Sequence, residues 1–155
     1  MTPSGLLTYR GTIYPWHCDQ VGHMNVMWYV GKFDEATWHL FHAIGLTPTL
    51  LREHNRGMAA VEQTIQYRRE LVAGDLVSVY SAVLEIKEKS LCFSHEMRKQ
   101  DTDEIAATTV LTGVHLDKGA RRACAFPDSV REKAAALCQV TTAVLKGGAH
   151  LPSSG

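Results

Sequence analysis

Apolar side chains recur along this chain with two different periods. Residues 7–14 (LTYRGTIY) are short, β-branched and aromatic, the composition of a strand, and Pro15 ends them because proline has no N–H to give to a ladder. A polar stretch without clear period follows (residues 16–25, WHCDQVGHMN). Tyr29, Phe33, Ala36, Leu40, Phe41 and Ile44 then return every three or four residues, which is one face of a helix. Asn25 is placed to cap that helix and Gly45 to stop it, so the spacing predicts a helix over 26–44. From Met58 the pattern changes to strands separated by turn residues. Strands are expected over 58–69, with Val61, Ile65 and Tyr67 on one face; over 76–87, apolar on both faces and therefore central; over 91–99; and over 105–116. A last amphipathic helix, peripheral, is expected over 128–145 after Pro127, carrying Val130, Ala134, Leu137 and Val144.

The order strand, long helix, then an uninterrupted run of strands favours an α+β domain in which one antiparallel sheet wraps a single helix. The helix carries Trp28, Phe33, Trp38, Leu40, Phe41 and Ile44, bulk on more than one side, and a curved sheet covers such a helix better than a flat one. A curved open sheet still has an edge. Edges are commonly hidden by a second subunit, so a homo-oligomer is expected, a homodimer or homotetramer.

Composition narrows the function without naming it. The 155 residues carry 16 basic and 16 acidic side chains, so there is no cationic field to attract a phosphate backbone, and no nucleic-acid partner is expected. No run of about 18 apolar residues and no leader-like start are present, so neither a membrane partner nor export is expected, and the cytoplasm is the expected location. The four cysteines, Cys18, Cys92, Cys124 and Cys138, form no C-x-x-C pair and read as reduced structural thiols. One domain is expected over residues 1–146, with 147–155 a disordered tail.

Chemistry is concentrated between the first strand and the long helix. In Asp19-Gln20-Val21-Gly22-His23-Met24-Asn25 a carboxylate, an imidazole and a turn-forming glycine precede a helix N-terminus, whose orphan N–H groups and positive dipole favour developing negative charge. Such parts suit acyl transfer: an Asp to attack or to activate water, and backbone amides for an oxyanion. Asp and Asn at a helix start also serve as plain caps. A metal held by His17, Cys18, Asp19 and His23 is disfavoured because neighbours in an extended segment point to opposite sides, and no metal is expected. Cys18 has histidines beside it, but burial is the commoner fate of a free cysteine.

The segment Asp19-x-x-Gly22-His23-Met24-Asn25, followed by Tyr29 and Phe33-Asp34-Glu35-Ala36, resembles the hot-dog-fold acyl-CoA thioesterases of the 4-hydroxybenzoyl-CoA thioesterase-like family. The resemblance continues through Tyr67-Arg68-Arg69-Glu70, Gly74-Asp75-Leu76-Val77, Lys89-Ser90-Leu91 and Arg121-Arg122. It implies a sheet wrapped around one helix, active sites between paired subunits, and an acyl-CoA as substrate. No cofactor is implied, since coenzyme A is part of the substrate. Asp19 matches the catalytic carboxylate, as nucleophile or general base, and the backbone N–H near Val26 matches the oxyanion donor. His23 and Asn25 match polar positions that shape the loop, and His23 is equally able to serve as a structural residue. Where many relatives have a second polar residue this chain has Val26, so a side-chain contribution there is lost while a backbone donor survives.

Gln63 and Thr64, on the strand facing the helix, are the candidates for a polar group from the partner subunit. Arg68, Arg69, Lys89 and Ser90 are candidates for the phosphates of coenzyme A, and basic residues on a sheet edge also serve against aggregation. Trp16, Met24, Met27, Trp28, Trp38 and Phe41 are bulky residues for the acyl pocket or the core, with Gly22 and Tyr29 beside them. Aromatic rings around a cleft also suit a cationic acyl group such as a trimethylammonium. The alternative to hydrolysis is a hot-dog protein that binds acyl thioesters without cleaving them.

Overall fold

The computed structural model describes residues 5–147, and from residue 148 on the expected tail lies outside the described residues. Strand β1 (Leu6–Thr12) is followed by a single 3-10 turn at Pro15–His17, the helix α1 (Val26–Ala43) and a short helix α2 (Pro48–Glu53). Then come β2 (Arg56–Tyr67), β3 (Leu76–Ile86), β4 (Ser90–Lys99), β5 (Ile105–Asp117), the two-residue β6 (Arg122–Ala123) and α3 (Asp128–Gly147). All pairings are antiparallel, in the order β1-β3-β4-β5-β2, with β6 added to β5. One curled sheet and one long helix make the hot-dog arrangement.

The helical face read from the sequence is the buried one: Tyr29, Phe33, Ala36, Leu40, Phe41 and Ile44 are all within the core. Two apolar clusters fill the space between α1 and the sheet. Phe33 and Tyr29 sit with Ile13, Val79 and Met97 at the end near the loop, and Leu40 and Phe41 with Val83, Phe93 and Leu111 at the other. Strand β3 is buried over most of 77–83, with Val77, Val79 and Val83 in the two clusters and α3 packed against the strand. Helix α3 lies less at the periphery than its place in the chain suggests, since Val130 and Ala134 belong to the second cluster. Strand β2 is an edge, and a bulge between Ala60 and Glu62 breaks its register. Of the face read as Val61, Ile65 and Tyr67, Ile65 packs against the core and Tyr67, 50% exposed, meets it through Tyr29 with centroids 5.1 Å apart, whereas Val61 is 61% exposed.

A polar thread runs through this interior. His95 on β4 shares hydrogen bonds with Thr37 of α1 (2.7 Å) and Ser81 of β3 (2.5 Å), and Ser81 with Thr8 of β1 (2.7 Å). The four side chains tie three strands to the helix and satisfy one another, which is what permits polar groups in a core. Burial pushes the His95 imidazole down to about 3, and the same cause lowers His17 and His115. An unfolded histidine takes up a proton near pH 6.5, whereas folded His95 does not until about pH 3. The unfolded state therefore binds more protons between these values, and stability falls as pH drops from 6.5 toward 3. Denaturant unfolding followed across that range is expected to show this loss, and a His95→Gln variant a smaller one.

Candidate active site

Residues 17–25 form a closed loop at the N-terminus of α1. Met24 N–H donates to the Leu71 carbonyl (2.7 Å), Asn25 N–H to the His17 carbonyl (2.8 Å) and Asp19 N–H to the His23 carbonyl (3.1 Å). Gly22 N–H closes the turn onto the Asp19 carbonyl at 3.0 Å. Gly22 stands at φ +94° with open space where a side chain would lie, so glycine is required there by backbone conformation and not by crowding.

The Asp19 carboxylate is held by both oxygens. Oδ1 accepts from Val21 N–H at 2.9 Å, and Oδ2 accepts from Asn25 Nδ2 at 3.0 Å. These bonds, that from Asn25 first, hold the carboxyl below its usual range, so it is ionised at neutral pH. Asn25 has a second task. Its Oδ1 accepts from Met27 N–H at 3.0 Å, capping the helix while its amide aims the carboxylate. Among the described residues the Val26 N–H has no hydrogen-bond partner, as expected of the first residue of a helix, and the positive end of the α1 dipole converges there. A fixed anion and an unused N–H donor therefore stand within one loop. Asn25→Ala is expected to cost about 1 kcal/mol of cap stability. It also removes the main cause of the lowered Asp19 pKa, so the acid limb of a kcat/KM pH profile should move upward.

His23 is turned elsewhere. Its Nε2 lies 3.1 Å from Glu70 Oε2, so the pair joins the loop to the exposed segment after β2. Glu70 was legible in the sequence only as part of a run; its role needs the chain to bring residues 23 and 70 together. His17 Nδ1 accepts from Tyr14 N–H at 2.9 Å, which removes it from any metal set with Asp19. No group of three or more His, Cys, Asp or Glu is placed to hold a metal ion among the described residues.

The remaining candidates divide into four places. Met24, Val26, Tyr29, Arg68 and Arg69 surround a hollow of about 260 Å³ beside the loop. There the Tyr29 hydroxyl donates to the Arg69 carbonyl (3.2 Å), and burial pushes it up to about 12. Trp16 and Trp28 line a second hollow on another flank of α1. Gln63 lies on the β2 edge, donating to Thr109 Oγ1 at 3.3 Å and facing a third, apolar hollow with Val30, Trp38 and Phe41; exposed Thr64 is next to it on the same edge. Lys89 and Ser90 do not join Arg68 and Arg69. Ser90 is level with Val114 and Tyr67 with Ala107, so the two basic sites lie roughly 24 Å apart along β5 at about 3.4 Å per residue. The four-residue phosphate cluster read from the sequence is therefore not formed within one chain.

The chain and its fold have known counterparts. The sequence model of the thioesterase-like superfamily matches residues 13–134. The long-chain acyl-CoA thioesterase FadM of Escherichia coli (strain K12) is 27% identical over 122 residues, which are 76% of this chain and 89% of that protein. A Staphylococcus aureus protein solved in complex with CoA superposes with a TM-score of 0.81 at 21% identity, covering 90% of this chain and 88% of that one. A gentisyl-coenzyme A thioesterase superposes with a TM-score of 0.73 at 26% identity, covering 82% and 98%.

Proposed function

The chain belongs to the thioesterase-like superfamily, and from that premise we propose that it is an acyl-CoA thioesterase acting through Asp19 and the Val26 N–H. The observation that carries this reading is the ionised Asp19 carboxylate, fixed by Val21 and Asn25 beside an unused amide at a helix N-terminus. Bound with its thioester oxygen on the Val26 N–H, the acyl carbon is polarised by a donor that needs no rearrangement. The carboxylate then takes a proton from water, whose oxygen adds to that carbon; the C–S bond breaks and coenzyme A leaves as the thiol. In the covalent variant an Asp19 oxygen adds first, and water opens the resulting anhydride. Single turnover in labelled water separates the routes. Label in Asp19 after the reaction marks the covalent route with water adding at the Asp19 carbonyl; where the label is in the free acid alone, hydroxylamine trapping at Asp19 marks an anhydride opened at its acyl carbonyl, and no trapped Asp19 marks direct attack.

Coenzyme A enters in this reading as substrate, with no separate cofactor. Arg68 and Arg69 flank the hollow beside Val26 and supply cations for its phosphates, and Lys89 and Ser90 reach the same ligand only from a partner subunit. The assembly we propose is a homodimer or homotetramer. Val26, Met27, Val30 and Trp38 leave the outward side of α1 apolar, and β2 presents an unpaired edge alongside it. Light scattering at micromolar concentration is expected to give at least twice the chain mass of 17.2 kDa; a monomer there would contradict the shared site. No described helix is long and apolar enough to cross a membrane; the cytoplasm we propose as the place of action rests on the cysteines, none of which is joined in a disulfide among the described residues.

A further inference from the structure

Between β1 and α1, on the flank of the helix away from β2, lies an open hollow of about 580 Å³. Its walls are aromatic. Trp16 stacks on Tyr14 with centroids 4.4 Å apart, and Trp28 meets the His17 ring edge-on at 4.6 Å. Gly11 and Gly31 line it with no side chain to fill it. Lys32 also lines it and is only 4% exposed.

A lysine so buried is ordinarily paired with a carboxylate. Lys32 makes no direct ion pair: among the described residues no carboxylate lies within 4 Å of its Nζ, its hydrogen-bond partner is the neutral Tyr9 hydroxyl at 3.0 Å, and Glu35 attracts it only from farther off. Nζ also lies 5.3 Å from the centroid of the Tyr9 ring. Two of its three N–H donors are thus uncommitted beside an open space. Glu35 is the one acid lining the hollow; it is exposed, and its charge acts on the Tyr9 hydroxyl as well as on Lys32. The buried charge, less screened than the exposed one, sets the sign of the site.

We infer that this hollow binds an aromatic carboxylate, with its ring against Trp16 and Trp28 and a carboxylate oxygen on Lys32 Nζ. The same ammonium opposes a trimethylammonium guest despite the aromatic walls. The carboxylate has two sources: a free aromatic acid, or a carboxylate at the far end of an acyl group. The second must reach around the helix, because Lys32 lies about 9 Å beyond Val26 along the axis of α1 at 1.5 Å per residue and about a third of a turn around it. The inference does not depend on thioester hydrolysis.

The test is titration of the full chain with benzoate, followed by tryptophan fluorescence and melting temperature. Saturable binding is expected, with benzyl alcohol and benzyltrimethylammonium each at least tenfold weaker. This comparison needs no variant. Lys32→Met is expected to fold and to lose benzoate affinity at least tenfold, and Lys32→Arg to restore most of it. Benzoate binding that persists under saturating coenzyme A marks the free acid as the source. A selective loss in Lys32→Met of kcat/KM for ring-carboxylated over plain aromatic acyl-CoA marks the acyl end. Absence of saturable benzoate binding, equal binding of the cation, or unchanged affinity in Lys32→Met overturns the inference.

Discussion

Asp19→Asn is expected to lower kcat for acyl-CoA hydrolysis by about 10²–10⁴-fold, the range that a positioned acid–base group contributes. The substitution keeps the shape of the side chain and its acceptor toward Val21 N–H, but puts an amide where a carboxylate faced Asn25. Only one of the two bonds to the loop is endangered, and that bond is near the surface, so the fold and the affinity for coenzyme A should change little. KM is expected to move by less than kcat because the group acts on the reacting atoms and not on the nucleotide. Steady-state thiol release, with calorimetric melting of both proteins, checks this; a variant that melts like the parent and retains full turnover would remove Asp19 from the mechanism.

Phe33→Ala should produce the largest loss of stability among single core changes near the site. Phe33 is 1% exposed and stacks on His95 with centroids 5.8 Å apart and planes 11° from parallel. Its removal leaves a cavity lined by Ile13, Met97 and the His95–Thr37 pair, at a cost of about 3–5 kcal/mol. For a domain of this size that is a fall in melting temperature of roughly 6–20 °C. The cavity also borders polar atoms whose geometry Phe33 fixes. Thermal unfolding read by circular dichroism measures the loss, and a shift below 2 °C would show that α1 does not pack as described.

The elements were largely legible because their causes are local. The three-to-four spacing of Tyr29 through Ile44 specifies which side of α1 is buried, and Asn25 and Gly45 mark its ends. The short helix α2 is not visible in the spacing of apolar residues, although Thr47 and Pro48 are a cap and a first-turn proline, with Thr47 accepting from Leu50 N–H at 3.1 Å. At six residues it offers too little period to stand out. Val61 departs from its expected face for another reason: it is the unpaired residue of the bulge, and the alternating pattern of β2 carries no mark of that extra residue.

At the site, the loop chemistry was legible and its long-range partners were not. Asp19, Gly22, Asn25 and Val26 act within a few residues of one another, so their geometry follows from turn and cap rules. Glu70 against His23, and the separation of Lys89 from Arg68, depend on sheet register across the whole chain. Lys32 was hidden for a similar reason: a lysine on a helix reads as solvated until β1 is folded across it.

The claim at the centre of this account is hydrolysis of acyl-CoA by this chain, and the most direct measurement is thiol release from a panel of short, long, aromatic and betainyl acyl-CoA substrates by the purified protein. Saturable release proportional to protein concentration, from at least one acyl class, is the predicted result. Saturable binding of acyl-CoA with no thiol released from any member of the panel would contradict it and leave a thioester-binding protein in its place.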